Sequence, residues 1–370
     1  MSTTQRFTAL DVFRGMTLCF MIIVNNQYGP AAFAPLEHAE WDGFTPTDLV
    51  FPSFLFAVGN AMAFTIPRLQ AMGNAAVLKK ILKRTLLIFL IGYLLSWFPF
   101  FNQNDAGEWI FKPIENTRIF GVLQRIALCY GMAALLIVYL PNRTIYIISA
   151  LVLLGYWGLL YVGGDYTMLG NIGTKIDLWM IGPNHMYKGE GVPFDPEGFL
   201  STLPAISTCL LGYQASIFLE KQRAINKSPL PNLLVYGLIL IGIAMIWDKA
   251  FPINKKLWTS SFVLLCAGID FILIGLISWW VETKERPFAN TFFLVFGKNS
   301  ILAYAISELL TIQMGKIEVT EGNGVTDLGS WSYWHLFEPI FGKYNGSLAF
   351  AISFVLVCWT ICYVFYRKKW

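Results

Sequence analysis

Apolar runs of roughly 17 to 25 residues, the length a helix needs to cross a hydrocarbon core, recur along most of this chain. They lie near residues 10–27, 48–67, 81–100, 119–140, 144–162, 199–219, 231–247, 257–281, 289–313 and 346–366. Within lipid every backbone amide must be satisfied inside its own segment, so runs of this length form helices. Composition agrees. Of the 370 residues, 56% are hydrophobic and only 14% charged, where a soluble chain carries about a quarter charged residues. The fold expected is an all-α polytopic membrane protein, a single bundle of about ten transmembrane helices. No internal repeat, low-complexity linker or composition break divides residues 1–370, which read as one domain.

Charge sets the orientation. With the N-terminus inside, the cytoplasmic loops hold Arg68, Lys79, Lys80, Lys83, Arg84, Arg143, Lys221, Arg223, Lys227, Lys284, Arg286 and the C-terminal Arg367-Lys368-Lys369. The acids in those loops are Glu220, Glu282 and Glu285. Lys and Arg translocate poorly and accumulate on the cytoplasmic side, so both termini are cytoplasmic and His38, His185 and His335 lie on the outer face. Ala32-Phe33-Ala34 resembles a signal-peptide cleavage site. Against cleavage, Asp11 and Arg14 interrupt the start of the run and the N-terminus has almost no positive charge. The net charge of +4 follows from the basic loops and implies no nucleic-acid partner. Cys19, Cys129, Cys209, Cys266, Cys358 and Cys362 all fall inside the apolar runs without metal-ligand spacing. They read as packing residues, and no metal is expected.

The first hairpin is the chemically unusual part. Its opening run breaks into Asn25-Asn26-Gln27-Tyr28-Gly29, followed by Glu37-His38-Ala39-Glu40-Trp41-Asp42-Gly43 and then Thr47-Asp48-Leu49-Val50-Phe51-Pro52. Polar groups at a membrane boundary are costly and mark function. His38 can act as general base or be acylated itself, although position alone equally suits an interfacial loop histidine. Its company favours chemistry: Asn25 offers an amide to an oxyanion, and Asp48 can orient the imidazole.

Three cations, Arg14, Arg125 and Lys298, fall within spans, Lys298 near the middle of the ninth. They can form a ladder for an elongated anionic ligand, arginine gripping phosphate with paired donors and lysine as a point charge. Buried pairing explains the same residues, since Asp11 is one turn from Arg14 and Asp270 or Glu308 can neutralise Lys298. On the outer side lie Asn171, Asp177 and His185, then Asp195-Pro196-Glu197, which resembles a helix start with Asp as cap. Asn254-Lys255 precede the eighth run, and Trp331-Ser332-Tyr333-Trp334 fit an interfacial aromatic belt.

Several of these segments resemble the heparan-α-glucosaminide N-acetyltransferase family, within the transmembrane acyltransferase superfamily. They are Leu10-Asp11-Val12-Phe13-Arg14-Gly15, the Asn25 segment, His38-Ala39-Glu40-Trp41-Asp42-Gly43 and Asp48-Leu49-Val50-Phe51-Pro52. Gly121-Val122-Leu123-Gln124-Arg125-Ile126, Asp195-Pro196-Glu197-Gly198, Pro252-Ile253-Asn254-Lys255-Lys256-Leu257-Trp258 and Gly297-Lys298-Asn299-Ser300 follow in family order. The resemblance implies acetyl transfer from cytoplasmic acetyl-CoA, a co-substrate, to an amino sugar or glycan across the membrane. It places the catalytic histidine on His38 and its partner asparagine on Asn25, with Asp48 as orienting group.

On this reading Arg14, Arg125, Lys298 and Asn299 hold the donor, and Asp195, Glu197, Asn254 and Lys255 bind the acceptor. The large N-terminal lumenal domain of eukaryotic members has no counterpart here, as in a bacterial-type relative. An inner-membrane location, His38 toward the periplasm and an envelope amino sugar are therefore expected. A homodimer is implied by the resemblance only. The rival reading is a secondary transporter for an amino sugar, which an inverted repeat and broken helices would favour.

Overall fold

A computed structural model describes residues 7–104, 107–284, 287–321 and 324–368, with side chains outside 282–290. Glu285, Arg286 and Lys369, used above for orientation, lie outside the described residues, as do the side chains of Glu282 and Lys284. The helices are α1 (Thr8–Asn25), α2 (Val50–Gln70), α3 (Asn74–Trp97), α4 (Val122–Tyr139), α5 (Asn142–Gly163), α6 (Ile172–Ile181) and α7 (Thr202–Ala224). There follow α8 (Leu230–Trp247), α9 (Ser260–Lys284), α10 (Pro287–Lys298), α11 (Ser300–Met314), α12 (Leu328–Ser332) and α13 (Glu338–Arg367). Two short antiparallel hairpins complete the chain: β1 (Phe101–Gln103) with β2 (Trp109–Phe111), and β3 (Glu318–Glu321) with β4 (Gly324–Asp327).

Every apolar run found in the sequence falls on a helix, and the architecture is all-α and polytopic. Among the described residues, eight helices are long and apolar enough to span, or nine if the bent pair α10–α11 counts as one. Two expectations need correction. The run at 289–313 is broken, because α10 and α11 meet at 85°. Asn299 between them leaves helical geometry (φ −121°, ψ 35°), as short amides that compete with backbone hydrogen bonds tend to do. The run at 81–100 belongs to a helix that starts earlier, at Asn74, and takes Lys79, Lys80, Lys83 and Arg84 into its first turns. Those four charges are why α3 falls short on composition.

The contacts divide the chain into two units. The first contains α1, the loop to Ala39, Phe44–Phe54 and the described residues from Leu276 onward. Here α1 crosses α10 at reciprocal glycines: a Cβ on Gly15 would sit 1.9 Å from the Phe293 carbonyl oxygen, and one on Gly297 would sit 1.9 Å from that of Asp11. The second unit contains Glu40–Gly43 and Leu55–Gly275. It repeats the device between α2 and α7, where a Cβ on Gly59 would meet the Cys209 carbonyl and one on Gly212 the Phe56 carbonyl, at 1.8 and 2.0 Å. Helices in lipid gain little from hydrophobicity when they associate, so close backbone approach at small residues supplies the packing.

Candidate active site

In the first unit, α1 is stopped by amides. The buried Asn26 side chain donates to the Ile22 carbonyl (2.9 Å) and accepts from Thr311 Oγ1 (2.5 Å), which ties the end of α1 to α11. Next to it, Gln27 Nε2 donates to the Leu36 carbonyl at 3.3 Å, anchoring the loop that leads to His38. Gly29 turns with φ +94° against the Tyr333 ring, where a Cβ would come within 2.3 Å.

His38 Nδ1 lies 2.7 Å from Asp48 Oδ1. The other carboxylate oxygen, Oδ2, accepts from the backbone amides of Ala39 (3.2 Å) and Thr45 (3.0 Å). Thr45 Oγ1 donates to the Glu37 carbonyl at 2.6 Å and so closes the loop. Asp48 also sits in the first helical turn leading into α2, where the free amides and macrodipole favour a negative charge. The side chain of Asp48 is 1% exposed and that of His38 45% exposed. A carboxylate that accepts from Nδ1 selects the tautomer whose lone pair is on Nε2. The result is an oriented imidazole on a buried acid, half open to its surroundings.

Asn25 is exposed at the last residue of α1, outside the hydrogen bonds that join His38 to Asp48. Arg14 pairs with Asp11 at 2.5 Å, one turn away. Lys298 is not mid-helix: it ends α10 at the break, exposed, with its ammonium 4.8 Å from the Tyr366 ring centroid. Asn299 occupies the N-cap position of α11, but its side chain makes no capping bond and instead donates back to the Val295 carbonyl at 3.5 Å. Glu308 bonds Tyr304.

The second unit holds a buried ionic cluster whose centre the sequence reading missed. Arg118 meets Asp195 through Nε (3.0 Å) and Nη2 (2.6 Å) and also pairs with Glu197. Its guanidinium lies 4.6 Å from the Tyr187 ring centroid. Asp195 accepts in addition from the amides of Tyr187 and Glu197. Burial pushes the Asp195 carboxyl up, against the pull of Arg118. For Glu197, burial is overcome by the charges of Arg118 and Arg125, which hold it below the usual range. Burial likewise opposes Arg118, yet Glu197 and Asp195 carry it above its ordinary value. On α6, Asp177 accepts from the Phe199 amide at 2.9 Å, and burial pushes its carboxyl up to about 7. One signal was available in sequence: Arg118 is a basic residue on the face that the positive-inside pattern leaves to acids.

Arg125, on α4, is fully buried. It donates to the Gly198 carbonyl (3.2 Å) and to Ser201 Oγ, under the Trp258 ring at 4.9 Å. Trp258 is itself held at φ +54°, a conformation that a bulky residue adopts only when its surroundings impose it. Arg125 Nε and Nη1 have no hydrogen-bond partner among the described residues. Buried Asn254 donates to Asp42 Oδ1 at 3.1 Å and accepts from the Leu257 amide at 2.8 Å. Trp41 donates to the Tyr166 carbonyl at 3.0 Å and Gly43 to that of Ile253 at 2.8 Å, which fixes the Trp41-Asp42-Gly43 half of the polar turn. Half-buried Lys255 acts electrostatically on Glu197. His185 Nδ1 binds the Thr117 carbonyl at 2.7 Å, and exposed His335 pairs with Glu321 at 2.9 Å.

Residues 6–247 match the family model described as Heparan-alpha-glucosaminide N-acetyltransferase, catalytic. The chain is similar to the Heparan-alpha-glucosaminide N-acetyltransferase of Mus musculus, 28% identical over 367 residues, covering 84% of this chain and 54% of that one. To the protein of the same name from Homo sapiens it is 28% identical over 362 residues, covering 82% and 53%. The chain spans about half the length of the curated relatives it matches. The family match includes Asn25, His38, Asp48, Arg118 and Asp195, and ends before Asn254 and Lys298.

Proposed function

The chain belongs to the heparan-alpha-glucosaminide N-acetyltransferase catalytic family, and from that premise we propose that it is a membrane-bound N-acetyltransferase. It moves an acetyl group from cytoplasmic acetyl-CoA to the amine of an amino sugar or glycan on the periplasmic side of a bacterial inner membrane. The observation that carries this reading is the His38–Asp48 pair: an accessible imidazole whose tautomer is fixed by a buried carboxylate.

The donor supplies an activated thioester carbonyl. His38 Nε2 takes the proton of the acceptor amine as its nitrogen forms the C–N bond and the C–S bond breaks. His38 then returns that proton to the departing thiolate, so one proton and one electron pair are accounted for at each end. Asp48 orients the imidazole and stabilises the imidazolium. Asn25 supplies an amide donor to the developing oxyanion. Lys298 and Asn299, at the break just before the N-terminal turn of α11, suit a phosphate. Arg14 adds a second cation in the same unit, already balanced by Asp11. Arg125 retains unused donors for an anion. Asp195, Glu197, Asn254 and Lys255 are assigned to the acceptor, and the hydrogen bonds of Asp195 and Asn254 also hold their loops in place.

Initial rates with both substrates varied test the route. Convergent reciprocal plots are expected for direct transfer, whereas parallel plots would mean that His38 first carries the acetyl group itself. The break at Asn299 is a feature that secondary transporters share. Amino-sugar uptake by vesicles containing the protein, in the absence of acetyl-CoA, would favour transport.

A further inference from the structure

The helix α3 is 24 residues long, about 36 Å at about 1.5 Å per residue. Its first turns carry Lys79, Lys80, Lys83 and Arg84, all exposed. That leaves an apolar stretch from Thr85 to Trp97 of about 20 Å, against a hydrocarbon core of about 30 Å. The side of α3 that faces away from the protein is a leucine stripe, Leu86, Leu90 and Leu94, continued among the basic turns by Leu78 and Leu82, spaced four apart as one helix face. A lipid-facing helix this short in uncharged apolar length is mismatched; snorkelling of the lysines relieves one end, and an apolar segment added at the other end relieves the rest.

The hairpin β1–β2 stands at the end of that stripe. It is fastened to the last turn of α3: Trp97 Nε1 donates to the Lys112 carbonyl at 3.0 Å, and Lys112 Nζ to that of Ser96 at 3.3 Å. Ring contacts run from Trp97 to Phe111 (4.9 Å) and from Phe101 to Phe111 (5.3 Å). Beyond these contacts the aromatic and aliphatic side chains of the two strands are exposed, while Asn102 is half-buried. Trp109 is 70% exposed, Phe111 53% and Phe101 51% on one face, with Ile110 44% exposed on the other. Polarity begins with Asn102 and Gln103 in β1 and is complete at the turn, where Asn104 and Glu108 bond each other. Apolar at the base and polar at the tip is the gradient a segment meets when it crosses from acyl chains into headgroups. Exposed Trp and Phe at that level match the interfacial aromatic belt.

We infer that the β1–β2 hairpin is a membrane-interface anchor, its aromatic base immersed in the lipid leaflet at the end of α3 opposite the basic turns. The partner is the lipid surface, and the hairpin makes up the apolar height that α3 lacks.

The test places an environment-sensitive NBD probe on Trp109→Cys, and separately on Ile110→Cys, in full-length protein in phosphatidylcholine–phosphatidylglycerol nanodiscs. Unsubstituted protein serves as the labelling blank and Ser228→Cys, in an exposed loop, as the aqueous reference. The expected result is quenching at least twofold stronger with 5-doxyl than with 12-doxyl lipid. Iodide quenching at both hairpin positions should be no more than half that at residue 228. Iodide quenching equal to the reference would place the hairpin in water and overturn the inference. Protection from both quenchers that is lost on dilution into excess lipid would assign the surface to a second copy of the chain, and would also overturn it.

Discussion

An imidazole bound through Nδ1 to a buried carboxylate has its basicity directed to Nε2, and His38 is held in that way by Asp48. Asp48→Asn keeps the shape but can donate to Nδ1, which favours the tautomer with its proton on Nε2. The expected loss in kcat is on the order of 10²–10⁴-fold, with the KM for donor little changed; an equal rise in KM instead would make Asp48 a binding residue. Asp177 gives a second residue-scale expectation. Its carboxyl is raised by burial to about 7, above an unfolded value of about 3.9. The native state therefore holds the proton more tightly than the unfolded chain. Its contribution is fully present below the unfolded value and is lost as pH rises through about 7. Thermal melts in detergent between pH 5 and pH 8 should show stability falling with pH in the wild type. Asp177→Asn, which can still accept from the Phe199 amide, should flatten that slope; an unchanged slope would remove Asp177 as its source.

At the scale of elements, the crossing of α1 and α10 depends on the absence of two side chains. Gly15→Ala places a methyl 1.9 Å from the backbone oxygen of Phe293, so the helices must part. The expected cost is about 1–3 kcal/mol, measured as a lowered melting temperature. Gly155→Ala, in α5 with nothing within 4 Å of the new carbon, should be neutral or slightly stabilising. If both variants melt alike, the glycine crossing is not what holds these helices. The same scale shows what was legible beforehand. Apolar run length reveals the long helices, because the bilayer fixes it, but not the short α6 and α12, which lie outside every run. The break at Asn299 was not legible, because Gly297-Lys298-Asn299-Ser300, although polar, is a short interruption inside a run at 289–313 that is otherwise long and apolar enough to pass for one span. At the candidate site, His38 and Asp48 were legible as a pair because their polarity at a membrane boundary is anomalous. Arg118 was missed because its partners lie 77 and 79 residues away, a separation that no local pattern encodes. Asn26, buried beside the exposed Asn25, is the structural amide of the two.

For the molecule as a whole, the chain spans about half the length of the curated relatives it matches, so activity must be measured on this chain itself. The membrane core is there, with its basic loops, its oriented histidine and a cation at a helix break. The most direct measurement is acetyl transfer by the purified protein from radiolabelled acetyl-CoA to a panel of amino sugars, with wild type and His38→Ala side by side and donor binding measured for both. Transfer by the wild type, lost in His38→Ala while donor binding persists, is the expected result. Transfer that survives in His38→Ala, or a wild type that binds no acetyl-CoA, would contradict the assignment of this hairpin as an acetyltransferase active site.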